Sequence, residues 1–414
     1  MQTFATGRIW ERLLDPARFS QAADWMAVAV AVSLPWSTSL SGILIGIWTL
    51  CIIPTLDLRS LRWVVAVPAA AIPLALFAYG VMGMAWGGAS FEDQWGSIKP
   101  TLRLLAIPLL FIQFRRSDRG MWVLGGFLVS CTVLLAVSWL LSVWPIYLRP
   151  NNAYPGVPTK DYIVQSGEFL ICAFTVAHLA VSAWREQRRG AAAALAALAI
   201  VFLLNIAFVA VARSTLIILV VLLIVIALQR FAWKGALAIF VAGSLFAGLA
   251  WVASPNLRAR VYSVANEVQH YRFQDEATSS GLRLEFWRKS VQLIAAAPVF
   301  GHGTGTVLDL FRRLAGEGEG ASAFVTDQPH NQTFQIAIQL GFVGAALLFG
   351  VWISHLFMFR GGGLAAWLGV GVVVQNIVAC IFNTYLLEFT SGWIYVFGVG
   401  VLGGIMVRQR ASDR

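Results

Sequence analysis

Apolar residues run along this chain in long unbroken stretches, separated by short clusters of arginine, glycine and proline. A stretch of about 20 apolar residues is long enough to cross a bilayer as an α-helix. On that basis spans are predicted near 22–36, 39–54, 62–82, 98–114, 121–144, 163–184, 191–211, 213–229, 234–254, 331–357, 362–383 and 391–408. The stretch 191–229 is too long for one span, and Arg213-Ser214-Thr215 is its natural break. No period-two alternation runs through these stretches, which excludes a β-barrel. The predicted fold class is therefore an all-α polytopic membrane protein of about twelve transmembrane helices, each satisfying its own backbone hydrogen bonds.

Two segments depart from this pattern. The first 21 residues mix Arg8, Glu11, Arg12, Asp15 and Arg18 with Ile9, Trp10, Leu13, Leu14 and Phe19, and have no apolar core of a signal peptide. They predict an interfacial helix. Residues 255–330 are polar and long, yet Leu282, Phe286, Leu293 and Ile294 recur there at helical spacing. The expected order is an interfacial segment 1–21, nine spans over 22–254, a loop domain 255–330 with helices of its own, three spans over 331–408, and a tail 409–414.

Composition agrees with the pattern. Charged residues make up 12% of the chain and hydrophobic residues 58%, too little charge to cover a soluble globule of this size. The net charge of +10 raises nucleic acid as a partner, but sidedness accounts for it. With the N-terminus inside, the inner loops hold 17 basic residues against 7 acidic ones, and the outer side holds 13 of each. Basic inner loops are the signature of cytoplasmic orientation, so both termini are expected in the cytoplasm and 255–330 outside. No nucleic acid is needed. Cys51, Cys131, Cys172 and Cys380 all lie in apolar stretches and read as small buried hydrophobes.

The chemistry-bearing residues fall mostly at the outer ends of spans. Arg213 is flanked by apolar runs on both sides. An ionised side chain near membrane depth costs at least about 2.5–3.5 kcal/mol unless compensated, and with Ser214 and Thr215 opening a helix it makes a phosphate cradle. In the helix that begins near Ser279, Glu285 can pair with Arg288 or Lys289 at i+3 and i+4. That leaves Arg283 the freer cation and Arg288 the more structural one. His330 and Asn331 stand where the outer loop ends and the tenth span starts. A helix dipole there disfavours the imidazolium, so a neutral ring can take a proton from a hydroxyl. Asp327-x-x-His330 offers only two metal ligands, too few for a site. Pro298-Val299-Phe300-Gly301-His302-Gly303-Thr304-Gly305 has no Walker lysine and reads as a glycine turn. Glu168, His178, Asn205, Asn376 and Asn383 are polar groups within or beside spans and are expected to face the bundle interior. Glu168 lies near Lys160 and is expected to counter an outer arginine, Arg103 being the candidate partner. Lys160 and Arg149 add cations to the outer segment 145–162.

Three pieces occur in order: Ala212-Arg213-Ser214-Thr215 opening a span, Arg283-x3-Trp287 running on to Pro298 and Gly301-x-Gly303, and His330-Asn331-x9-Gly341-x2-Gly344. Together they resemble the O-antigen ligase and polymerase superfamily of the bacterial envelope, by motif over 200–345 and by layout over the whole chain. The spacing of the last piece is similar to that of the O-antigen ligases. The resemblance implies a glycosyltransferase of the inner membrane that acts at the periplasmic face in lipopolysaccharide biosynthesis. It implies transfer of polysaccharide from undecaprenyl pyrophosphate to lipid A–core, inverting and independent of metal or any cofactor. Arg213, Arg283 and Arg288 then bind the pyrophosphate donor, and His330 is the base. Asn331, Glu168, Lys160, Arg149 and Arg103 support them. The alternatives are a polymerase of the same superfamily and a lipid-linked sugar flippase or other transporter, which places its charges near the bilayer midplane instead.

Overall fold

The computed structural model describes residues 16–144, 154–230, 233–316 and 320–412. Among them there are helices and no strands. Seventeen α-helices follow in order: α1 Pro16–Ser33, α2 Thr38–Ile52, α3 Leu58–Val65, α4 Pro68–Met82, α5 Phe91–Ile98, α6 Ala106–Arg116, α7 Gly120–Val143, α8 Tyr162–Arg185, α9 Arg189–Phe208, α10 Arg213–Arg230, α11 Trp233–Ala253, α12 Pro255–Gln274, α13 Ser279–Ala296, α14 Val307–Arg313, α15 Gln332–Met358, α16 Gly363–Phe382 and α17 Phe389–Ser412. The molecule is a multi-pass membrane protein. Nine helical stretches among the described residues are long and apolar enough to cross a membrane. The other three predicted spans fall on α1, α10 and α11. Arg18 and Asp24 interrupt the apolar run of α1. α10 and α11 are apolar along most of their length. Residues 1–15 of the predicted interfacial segment lie outside the described residues, and 16–21 form the start of α1.

Two predicted spans are not single helices. The span expected over 62–82 is divided, because Pro68 cannot continue a helix begun before it; Val67 is extended and α4 starts at the proline. Likewise Pro100 opens a 3₁₀ stretch, Lys99–Leu105, between α5 and α6. The expected break in 191–229 is present: α9 stops at Phe208 and α10 starts at Arg213.

The core of the bundle forms where α8 lies along α9, α6 along α17, α4 along α15, and α16 against both α15 and α17. Glycines allow the closest of these approaches. A Cβ on Gly400 would stand 2.6 Å from the Leu110 side chain, and one on Gly404 2.7 Å from Phe114 Cβ. Without a hydrophobic drive between helices in lipid, such small-residue faces are what let backbones pack. Polar groups inside the bundle find one another. Asn205 Nδ2 donates to Ser138 Oγ (2.9 Å), and Gln165 Nε2 donates to the same oxygen (3.0 Å), tying α7, α8 and α9 together.

The segment between α11 and α15 folds as three helices against one end of the bundle. Its glycine turn is inserted into a break in α15. Gly341 has φ +63° and ψ −161°, a conformation that only glycine adopts readily. The carbonyls freed at the break accept from His302 N–H (to Ile338, 2.9 Å) and Gly303 N–H (to Gln339, 2.8 Å), while Phe342 N–H donates to the Pro298 carbonyl (2.7 Å). Thr304 completes the staple, bonding the Gly83 and Gly80 carbonyls at the end of α4. The turn is thus structural, and His302 Nε2 contacts the Leu293 carbonyl locally (2.8 Å).

Candidate functional site

Four chain segments meet at that end of the bundle: the start of α10, the start of α13, the junction before α15, and the turn between α16 and α17. The junction is built first by local chemistry. Pro329 keeps the preceding residue out of the helical region. His330 then takes φ +52°, the left-handed conformation that a non-glycine residue rarely adopts. Asn331 caps α15 by accepting from Phe334 N–H (3.1 Å). His330 therefore lies one residue outside the cap, not within the first turn.

The junction is zipped to the 383–388 turn. Asn331 Nδ2 donates to the Ile381 carbonyl (3.1 Å), Thr384 Oγ1 donates to Gln328 Oε1 (2.8 Å), and Leu386 N–H donates to Gln332 Oε1 (3.2 Å). Within this frame His330 Nδ1 stands 2.9 Å from Asn383 Oδ1, and Asn383 Nδ2 donates to Glu388 Oε1. The His330 ring stacks on Phe286 of α13 at 6.1 Å and 25°. Burial and the Asp161 charge push the Glu388 carboxyl up to about 7, against the pull of Arg103.

The arginines take up different partners. Arg213 donates to both carboxylate oxygens of Glu267 (2.8 and 3.4 Å), to Ser263 Oγ (2.9 Å) and to Ser280 Oγ (3.1 Å). Partial burial raises the Glu267 carboxyl, but the bonds from Arg213 and Ser280 outweigh it and hold the carboxyl down at about 2. Arg288 is spent on Glu285 through two bonds (2.9 and 2.6 Å), and Lys289, almost fully buried, faces the same carboxylate at 3.7 Å. Arg283 has no ion pair among the described residues. Tyr385, buried in the 383–388 turn, lies within electrostatic reach of Ser214, Arg283, Asp161 and Glu388. The start of α10 and the junction before α15 are both tied to α13, by the Arg213–Ser280 bond and the Phe286–His330 stack.

The supporting residues divide. The predicted Glu168–Arg103 pairing does not form. Glu168 faces Lys160 at 3.6 Å, because the 154–161 segment folds back over α8 and places Lys160 against the Leu34 carbonyl. Arg103 instead donates to the carbonyls of Leu387 (3.0 Å) and Glu388, and so holds the turn that carries Asn383 and Glu388. Arg149 lies outside the described residues. Among the described residues no three His, Cys, Asp or Glu side chains gather to hold a metal ion.

Sequence reasoning missed Glu267, Glu388 and Tyr385, and gave Asn383 no more than an interior position. An acid in an otherwise apolar stretch was the available signal for Glu388. For Glu267 nothing in the local pattern stood out.

Residues 198–349 match the family described as O-antigen ligase. The match supports the O-antigen ligase/polymerase superfamily that the three motifs resemble. It spans Arg213, Arg283, His330 and the Gly341 break, and ends before Asn383 and Glu388. No curated protein sequence matches the chain.

Proposed function

We propose that this protein is an O-antigen ligase, transferring polysaccharide from undecaprenyl pyrophosphate to a sugar hydroxyl of lipid A–core. The observation that carries the reading is that Arg213 and His330 both meet α13, the helix that carries Arg283: Arg213 bonds Ser280 and His330 stacks on Phe286. In this reading the N-terminus is cytoplasmic, 255–330 is a periplasmic domain, and the site faces the periplasm at the surface of the inner membrane. The acceptor oxygen attacks the anomeric carbon from the face opposite the pyrophosphate, and His330 takes its proton. The bond from carbon to pyrophosphate oxygen breaks with inversion. Arg283, with no acid partner among the described residues, holds the developing charge. Arg213 acts beside it by exchanging one Glu267 oxygen for a phosphate oxygen, and Arg288 orients Glu285. A lipid-embedded donor explains a site at the membrane surface, and the step calls for no metal.

The test is transfer by the purified protein in vesicles containing lipid-linked glycan and lipid A–core. His330→Ala is expected to slow transfer by about 10²–10⁴-fold with donor binding retained, and Arg283→Ala to weaken donor binding. Chelator is expected to change nothing. Elongated lipid-linked glycan as the product would assign the polymerase reaction instead, and glycan that crosses the bilayer without transfer would assign a transporter.

A further inference from the structure

The chain from His330 through Asn383 to Glu388 decides which imidazole nitrogen carries the proton, and the reading here rests on His330 acting as the base proposed above. The amide nitrogen of Asn383 donates to Glu388 Oε1, an oxygen that keeps a lone pair to accept with whether the carboxyl is ionised or protonated on its other oxygen. The amide oxygen is thereby turned toward His330 Nδ1, 2.9 Å away. An amide oxygen has no hydrogen to give, so Nδ1 must carry one. In the neutral ring the lone pair is then on Nε2.

We propose that Asn383 is a positioning residue that locks His330 in the Nδ1–H tautomer, with Glu388 fixing the amide and Nε2 left as the proton-accepting nitrogen. When Nε2 takes the acceptor hydroxyl proton, the Nδ1–H bond to Asn383 persists and the ring need not turn. Its plane is set from the other side by the stack on Phe286. The second partner is itself anchored: Arg103 donates to the Glu388 and Leu387 carbonyls. The choice of an amide over a carboxylate at 383 matters. A carboxylate against Nδ1 would favour the imidazolium and occupy the base with a proton before substrate arrives. The charged and titratable groups around the relay are Glu388, Asp161, Arg103, Tyr385 and Arg283.

The test combines a spectroscopic reading of the tautomer with a swap of the two partners. The full-length protein labelled with ¹⁵N-histidine has five histidines, and the His330 signals are identified by their loss in His330→Gln. The wild type is expected to show His330 protonated at Nδ1. Asn383→Ala is expected to lose that preference and to lower kcat by about 10–100-fold, the usual scale for removing an orienting partner, with the donor KM unchanged. Asn383→Asp alone sets two carboxylates against each other and is expected to be slow. Asn383→Asp with Glu388→Gln restores the chain, because the glutamine amide can donate to the new carboxylate. That double variant is expected to exceed Asn383→Asp in rate, with the acidic limb of its pH profile moved to higher pH. A purely structural role predicts no such movement. An Nε2–H tautomer in the wild type, a wild-type kcat in Asn383→Ala, or a double variant no faster than Asn383→Asp would overturn the proposal. If Asn383→Ala fails to fold, the wild-type spectrum and the double variant still decide. A His330→Gln protein that transfers at the wild-type rate would instead refute the base itself.

Discussion

Arg213 shows what a single residue's surroundings do to its role. From sequence it is an isolated cation near membrane depth; in the fold its charge is compensated by Glu267, which lies 54 residues further on. The carboxyl of Glu267 is held at about 2, below the ordinary glutamate value near 4.3. A group depressed on folding stabilises the native state above its unfolded pKa, and that contribution is lost as pH falls through the folded value. Glu267→Gln is therefore expected to melt at a lower temperature than wild type from pH 7 down to about 5. The gap should close progressively below pH about 4.3. Thermal unfolding in detergent across pH 7 to 3 measures this, and a gap that stays constant to pH 3 would dissociate the carboxylate from the effect. Residue types and local spacing were enough to single out Arg213, Arg283 and His330. They were not enough to find partners such as Glu267 and Asn383, which tertiary packing brings in from distant helices.

At the scale of elements, nine of the twelve predicted spans fall on helical stretches long and apolar enough to cross a membrane. The pattern placed the break at Arg213 but not the breaks inside single spans, which depend on what fills them. Pro68 and Pro100 divide two predicted spans through a missing N–H and a fixed φ. The Gly341 break is less legible still: the sequence shows a glycine inside an apolar run, and the Pro298–Gly305 turn that bonds its opened backbone lies some 40 residues upstream. This gives the spacing from His330 to Gly341 a physical meaning, since the break docks the 255–330 helices against α15. Gly341→Ala must place a Cβ against the Val299 carbonyl and hold φ +63°, a strained conformation costing about 1–3 kcal/mol. It is expected to lower the melting temperature and to expose the 298–305 turn to protease. Gly46→Ala, inside α2 with nothing within 4 Å, is the control and is expected to leave the turn protected and the melting temperature no lower than wild type. Equal melting of the two variants would show that the break is not held by glycine.

For the whole molecule, charge and apolar pattern argue together for which side of the membrane carries the site. Arg213, Arg283 and His330 stand at the end of the bundle covered by α12–α14, while the basic clusters Arg115-Arg116 and Arg185 to Arg189 stand at turns whose positive charge is the signal expected of a cytoplasmic face. The two sets alternate along the chain as an odd or even number of crossings requires, so reversing the orientation of one would reverse the other. In the proposed reaction the lipid-linked donor and acceptor meet on the face opposite the arginine clusters. Ala277, exposed in the link between α12 and α13, and Glu186, exposed in the turn between α8 and α9, report on the two faces. The four native cysteines are buried or half-buried, so background labelling is expected to be low. In right-side-out inner-membrane vesicles, a membrane-impermeant maleimide is expected to label Ala277→Cys at once and Glu186→Cys only after the membrane is opened. In inside-out vesicles the order is expected to invert. Labelling of Glu186→Cys first in right-side-out vesicles would place the arginine clusters outside and move the catalytic end to the cytoplasm. That outcome would refute the proposed transfer at the periplasmic face.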